Sequence, residues 1–184
     1  GTTAEAGGIP PPNPALREGF LASFDTGPCT YVSRVGTGPL TGVVEGYSAT
    51  SAGFAGVASA YEQRFGTAID ILPREVTRGQ CAVLDFARAL QGRGRNGVEI
   101  GLNTDSPASG DPIVTTLTIP RDQTLWLVLI QPDGRFLNLT RNVSQPVGDT
   151  RGIEFSLEAV PGAPSEPRLI LALESDEPLA QAAI

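Results

Sequence analysis

The chain has 184 residues, of which 40% are hydrophobic, and a net charge of −7. It can therefore build one large domain or two small ones, while its acidic balance argues against nucleic acid as a partner. His is absent and Cys occurs twice, which excludes a Ser-His-Asp or Cys-His catalytic group and a closed structural zinc site within this chain.

The first 13 residues are rich in Gly, Pro and Thr. This composition predicts a flexible linker leading in from a preceding segment. Because Met is absent and Gly1 comes first, we expect the chain to be an excised part of a longer protein. No run of 18 apolar residues occurs, so we expect no direct membrane insertion by this chain.

Residues 14–92 predict a small α/β domain of two layers. Apolar residues at spacings of three and four predict helices over 14–24 and 51–65. In the first helix Leu16, Phe20 and Phe24 are predicted to lie on one face. The predicted stripe of the second is Phe54, Val57, Tyr61 and Phe65.

Three strands are predicted in this domain. Two of them, over 29–35 and 43–49, lie between the two helices, and the third, over 68–76, follows the second helix. A third helix is expected to begin after Thr77, because Thr77 and Gln80 have the spacing of a capping box. We expect it to end at Gly92. Its predicted buried stripe is Val83, Phe86, Ala87 and Leu90.

Residues 91–97 contain three Gly, two Arg and no apolar residue, which predicts a domain boundary. Six apolar runs separated by turn residues then fill 98–177, and Asp133-Gly134 between two of them predicts a hairpin. This pattern favours an immunoglobulin-like β-sandwich. The expected fold class is therefore α+β, with the α/β domain followed by the sandwich. Residues 178–184 are expected to form a short helix or a disordered tail.

The two cysteines lie in the α/β half. Cys29 opens the first predicted strand and Cys81 lies in the first turn of the third predicted helix, and such places can meet in a two-layer fold. In an oxidising compartment they would form a structural disulfide; two unrelated buried thiols in a cytosolic protein are the alternative. The absence of a Cys-x-x-Cys motif argues against a redox role.

The carboxylates of this half do not have a spacing that pairs two of them across a groove, as a glycosidase requires. They are Asp25, Glu45, Asp70, Glu75 and Asp85. For Asp85, beside the apolar stripe of its helix, we expect a structural or surface role. No catalytic residue and no cofactor site is predicted.

Two features of the β half have alternative interpretations. The polar segment 103–111 offers oxygen ligands near Asp105 and Asp111 for a weak calcium ion, although an ordinary interstrand loop is the simpler interpretation. Trp126 lies in the most apolar run, so burial in the core is favoured over a sugar-stacking platform.

Four segments carry a resemblance to a known group of proteins: FLASFDTGPCTYVSRV, VEGYSATSAGFAGVASAYEQRFG, REVTRGQCAVLDFARAL and LWLVLIQPDGRFLNLT. They resemble the C-terminal regions of alphaproteobacterial membrane-anchored proteins described as serine/threonine kinases or caspase-like peptidases. The resemblance covers about residues 15 to 180. It implies an extracytoplasmic region with the catalytic domains upstream. Cys29 and Cys81 match the two-cysteine pattern of that group, which supports the disulfide.

The expected function is a non-catalytic periplasmic sensing or protein-interaction module of a larger signalling or secretion-associated protein. Its partner would be another envelope protein or a cell-wall glycan. A structural spacer in the cell envelope is one alternative. A carboxylate-dependent glycan hydrolase is the other.

Overall fold

The computed structural model describes residues 13–37, 43–91 and 98–176. The chain divides into two compact units, 1–93 and 94–184. The linker predicted over 1–13 lies outside the described residues except for Asn13, and so does the tail predicted over 178–184. The predicted boundary over 91–97 lies outside them except for Gln91.

The first unit combines helices with one three-stranded sheet. Its helices are α1 (Pro14–Ser23), α2 (Phe54–Phe65) and α3 (Cys81–Leu90). Its strands are β1 (Thr30–Thr37), β2 (Val43–Ser48) and β3 (Asp70–Glu75). β2 lies in the centre, antiparallel to β1 and parallel to β3. The parallel pair is joined through α2, as a parallel connection requires a crossover.

The core of this unit lies between one face of the sheet and helices α1 and α2. Its buried residues are Leu21, Val32, Val44, Val57, Tyr61 and Ile69. Gly46 is needed at the centre of the sheet, because a Cβ there would lie 2.5 Å from Ile71 Cγ2 and 2.7 Å from Phe54 Cε1. The missing side chain lets the first residue of α2 pack directly on β2.

The predicted stripe of α2 is confirmed. The predicted face of α1 is confirmed for Phe20 and Phe24, which pack against the core, and wrong for Leu16, whereas the predicted stripe of α3 is wrong. In α1 the buried apolar residue is Leu21, and Leu16 is 62% exposed. In α3 the buried residue is Leu84, and Phe86 is 45% exposed. Both helices are short, with 10 residues each. α3 packs mainly on the edge strand β1, so a narrower face is covered than the apolar pattern indicates.

Local signals at the helix ends are confirmed. Thr77 and Gln80 form the predicted capping box, in which the Thr77 backbone N–H donates to Gln80 Oε1 at 3.0 Å. The box opens a 3₁₀ turn, Arg78–Gln80, that continues into α3. Gly66 ends α2 with a φ of 68°, a left-handed conformation that glycine adopts without steric cost.

The described part of the second unit contains six strands in two antiparallel sheets. One sheet has the order β4 (Glu99–Leu102), β5 (Pro112–Thr118), β8 (Thr150–Ser156). The other has the order β7 (Phe136–Asn138), β6 (Thr124–Ile130), β9 (Leu169–Ser175). Each of the six predicted apolar runs overlaps with one of these strands. Together with the helices of the first unit, they agree with the α+β class.

One hydrophobic core is shared by both sheets of the second unit. Its buried residues are Leu117, Ile119, Leu125, Leu127, Leu129, Leu139 and Ile153. The predicted hairpin at Asp133-Gly134 joins β6 to β7. Gly134 has a φ of 85°, and the Gln131 N–H donates to the Arg135 carbonyl at 2.7 Å.

Candidate functional site

The predicted disulfide between Cys29 and Cys81 is formed, with 4.4 Å between the two Cα atoms. It joins the residue before β1 to the first residue of α3, which are 52 positions apart. Disulfides persist in oxidising surroundings and are rare in the cytosol. The bond therefore indicates a non-reducing compartment.

Cys29 has a backbone conformation that needs support. Its φ is 53°, a left-handed value that is uncommon for any residue other than glycine. The Cys29 N–H donates to Asp85 Oδ1 at 2.9 Å, and the Cys29 carbonyl accepts from Ser48 Oγ at 3.2 Å. The sequence favoured a structural or surface role for Asp85, and this hydrogen bond gives the carboxylate a structural one.

Arg88 completes this corner of the first unit. One of its nitrogens lies 2.9 Å from Asp25 Oδ1 and another lies 3.4 Å from Asp85 Oδ1. It also donates to the Gly27 carbonyl at 2.6 Å. The two carboxylates thus meet at one guanidinium, which offsets part of their charge, and these contacts hold the segment before β1 in place.

A second cluster lies on the sheet face opposite helices α1 and α2. Side chains alternate along a strand, so the residues next to the buried Val32 and Val44 point to the other side. We call this surface the open face; it consists of Tyr31, Val43, Glu45, Tyr47, Leu72 and Arg74. In the sheet register Tyr31 lies opposite Tyr47, and Tyr47 opposite Arg74.

Hydrogen bonds order the centre of the open face. The Tyr47 hydroxyl donates to Glu45 Oε2 at 2.6 Å. Arg74 donates to Glu45 Oε1 through Nε at 3.2 Å and through Nη2 at 2.9 Å. The ring centroids of Tyr31 and Tyr47 are 6.1 Å apart. One carboxylate therefore fixes both a guanidinium and a phenol.

Tyr47 stays protonated in this setting. Burial is the main cause that raises the pKa of Tyr47 well above its ordinary value, and the hydrogen bond to Glu45 raises it further. A phenol with a raised pKa is a donor and not a general base at neutral pH. The chemistry available to Tyr47 here is recognition through its ring and its hydroxyl group.

The open face also exposes apolar surface. Leu72 is 41% exposed and Val43 is 37% exposed. Half-buried Tyr and Arg side chains beside exposed aliphatic groups have the composition of a protein interface. The sequence already held a signal for this face, since strict alternation in both strands places Tyr31, Glu45 and Tyr47 opposite the core.

The remaining predicted carboxylates are not gathered into one site. Asp70 and Glu75 are the first and last residues of β3, whereas Glu45 lies in β2. Asp25 and Asp85 meet at Arg88. These five residues therefore lie at several separate places in the first unit.

The polar segment 103–111 uses its side chains to hold its own backbone and that of β5. Asn103 donates to the Pro112 carbonyl at 3.2 Å and accepts from the Val114 N–H at 2.8 Å. Ser109 Oγ accepts from the Ala159 N–H at 2.9 Å. Among the described residues, no group of three or more His, Cys, Asp or Glu is arranged to hold a metal ion. These contacts fit the interstrand-loop interpretation.

Trp126 differs from the expectation of core burial. Leu125, Leu127 and Leu129 point into the shared core, so alternation along β6 turns Trp126 to the opposite face of its sheet. There it is half-buried, with its ring 6.0 Å from that of Phe136 in an edge-to-face arrangement. The apolar run has two buried faces, and its hydrophobicity alone does not tell them apart.

Within the described ranges, no helix has the length and apolar character needed to cross a membrane. Comparison of the chain with protein-family models, with curated proteins and with solved structures gives no match. The geometry of the two units is therefore the basis on which a function is assigned.

Proposed function

We propose that this chain is a non-catalytic binding module of the bacterial periplasm, and that the open face of its first sheet binds a partner protein. The disulfide supports a non-reducing location. The resemblance to extracytoplasmic regions of membrane-anchored proteins supports a place in the cell envelope. The composition of the open face supports the binding of a partner protein.

The observation that carries this proposal is the Glu45 carboxylate holding Tyr47 and Arg74 together. Binding costs free energy for every side chain that must be ordered. Tyr and Arg are the residues that most often dominate binding energy at interfaces. Here the Tyr47 and Arg74 side chains are ordered before a partner binds, so less of the favourable contact free energy is offset by the cost of ordering them.

The same geometry disfavours the glycan hydrolase. Both oxygens of Glu45 already accept hydrogen bonds from Tyr47 and Arg74, so this carboxylate serves to hold those two side chains. A hydrolase would also need a second carboxylate within about 10 Å across a groove.

The test is capture from a periplasmic extract with the intact disulfide-bonded chain, followed by affinity measurement on the captured protein. Leu72→Glu is the variant, because it places a charge on the open face without touching the core. Leu16→Glu is the matched control, since Leu16 is exposed on α1. We expect at least tenfold weaker binding for the first and unchanged binding for the second, in line with a buried charge at an interface.

Two outcomes would contradict the proposal. One is a partner that binds both variants as tightly as it binds the unaltered chain, because the open face would then not be the binding surface. The other is tight binding on a glycan array that is lost in Tyr47→Ala, because the ligand would then be a carbohydrate and not a protein.

A spacer in the cell envelope is the second candidate, and one observation favours it. Each unit has a hydrophobic core of its own, so each can serve as a rigid block. Replacing residues 98–184 by an unrelated β-sandwich domain tests whether the second unit is a spacer or binds a partner. A spacer retains function after the exchange, whereas a unit that binds a partner does not.

We also propose that the second unit is an immunoglobulin-like sandwich. The order β4-β5-β8 corresponds to strands A, B and E of that fold, and β7-β6-β9 corresponds to C′, C and F. The shared core supports this assignment. An experimental structure in which the two sheets cross far from the roughly 30° of aligned sandwiches would contradict it.

A further inference from the structure

β9 has the composition of an interior strand but lies at the edge of its sheet. Residues 169–173 are Leu-Ile-Leu-Ala-Leu, apolar on both faces. Ile170 and Ala172 pack against the shared core, whereas Leu169, Leu171 and Leu173 lie opposite Ile130, Val128 and Trp126 of β6, on the other face of the sheet. In the part of the chain that the structure describes, β6 is the only strand paired with β9.

The other edge strands of the second unit are protected from pairing with another chain. β4 has four residues and β7 has three, too few to template a long partner strand. β8 has seven residues but carries Arg151, Gly152 and Glu154. Short length and charge are the usual protection of sheet edges. β9 has seven residues, and its first five are all apolar.

We propose that the edge of β9 pairs with β9 of a second copy of this chain, antiparallel and about a two-fold axis at Leu171. Such an interface is self-complementary, as closed symmetry requires. In this register Leu169 lies opposite Leu173 and Ile170 lies opposite Ala172. The two three-stranded sheets then become one six-stranded sheet, in the manner of strand addition.

Charged residues at the two ends of β9 favour this register of the pairing between the two copies. Arg168 precedes the strand and Glu174 lies near its end. With the axis at Leu171, Arg168 of each copy lies opposite Glu174 of the other, on the same face of the joined sheet. Opposite charges directly across two strands stabilise the pairing, and the pair occurs twice. Arg168 is exposed, and its Nε donates to Gln131 Oε1 at 3.1 Å; the other guanidinium nitrogens provide further donors.

This inference concerns a surface of the second unit and does not depend on the open face. It is tested by sedimentation velocity on the intact disulfide-bonded chain over a range of concentrations, where we expect a reversible dimer. Arg168→Glu and Glu174→Arg should each weaken dimerisation on the order of tenfold, because each places like charges opposite one another twice. The double reversal should restore it to within a few-fold.

Controls match the change in net charge. Arg141→Glu and Glu158→Arg alter exposed residues outside β9, and both should leave the dimer unchanged. Amide hydrogen exchange in β9 of the unaltered chain, measured at low and high concentration, gives an independent readout that needs no variant. Protection should increase with concentration.

Three results would overturn the proposal. The first is a monomer at every concentration. The second is a dimer that neither single reversal weakens. The third is a double reversal that fails to recover, because the register would then be wrong.

Discussion

The backbone N–H of Cys29 donates to the carboxylate of Asp85 at 2.9 Å, across 56 positions of sequence. This hydrogen bond holds the segment before β1 against α3, beside the disulfide that joins the same two places. The covalent link and the polar link act on one residue whose φ is 53°. Several expectations follow from this corner and from the open face.

Asp85→Ala should destabilise the first unit by about 1 to 3 kcal/mol. The change leaves the half-buried Cys29 N–H without its charged acceptor, and hydrogen bonds to charged groups contribute this much. Urea unfolding monitored by tyrosine fluorescence measures the loss, since all three tyrosines lie in this unit. Asp122→Ala, in an exposed turn of the second unit, is the control and should change the free energy of unfolding by less than about 0.5 kcal/mol.

Removing the disulfide with Cys29→Ser and Cys81→Ser together should cost roughly 4 kcal/mol or somewhat less, because the crosslink closes a long loop of the unfolded chain. Calorimetry under oxidising and reducing conditions checks this. The loss should fall on the transition of the first unit, while the transition of the second unit, which contains no cysteine, stays in place. Equal shifts of both transitions would contradict independent units.

Gly46→Ala should destabilise the first unit by about 1 to 3 kcal/mol or more, the usual cost of overpacking a core. The new methyl group would lie 2.5 Å from Ile71 Cγ2 and 2.7 Å from Phe54 Cε1. Gly101→Ala in β4 is the matched control, because its nearest neighbour would lie at 3.9 Å. Denaturant midpoints compare the two. A Gly46→Ala protein as stable as the control would show that Phe54 can move aside at no cost.

The stability of the first unit should fall at alkaline pH. Burial and the Glu45 hydrogen bond raise the pKa of Tyr47 in the folded state above the value of about 10 expected in the unfolded chain. The folded protein therefore retains its phenolic proton where the unfolded chain loses it. This contribution is fully present below about pH 10 and is lost as the pH rises above that value.

The measurement for Tyr47 is the ultraviolet absorbance of tyrosinate during titration, together with denaturation at pH 8 and pH 11. Tyr47→Phe should remove part of the alkaline loss of stability. Glu45→Gln should lower the pKa of Tyr47 without returning it to its ordinary value, since burial remains. A Tyr47 pKa that is unchanged in Glu45→Gln would mean that the Glu45–Tyr47 bond is not formed in solution.

Local features of the fold were the most predictable from sequence. The capping box of Thr77 and Gln80, the glycine stop at Gly66 and the six apolar runs of the second unit each depend on residues close in sequence. The disulfide required contacts between distant elements, yet two cysteines allow only one pairing within the chain. The exposure of Leu16 in α1 and the buried face of α3 were not predictable, because the packing of each helix on the sheet decides which residues are covered.

The open face was missed for a related physical reason. Glu45 and Arg74 lie 29 positions apart, and they meet only because β3 returns parallel to β2 through the α2 crossover. Glu45 appeared in the sequence as one of several scattered carboxylates. The alternation of β1 and β2 predicts which residues share this face. It does not predict that Arg74 arrives beside them.

The disulfide has one more consequence for the first unit. Cys29 and Cys81 close a covalent ring that contains β1, β2, α2 and β3. A protease that cuts the backbone once anywhere inside that ring opens it without separating the pieces, because the sulfur bridge still joins them. Two cuts, or one cut and a reductant, are needed to release a fragment. After one such cut, the strands of the first unit therefore remain covalently joined, whereas the same cut would divide a chain that lacks the disulfide.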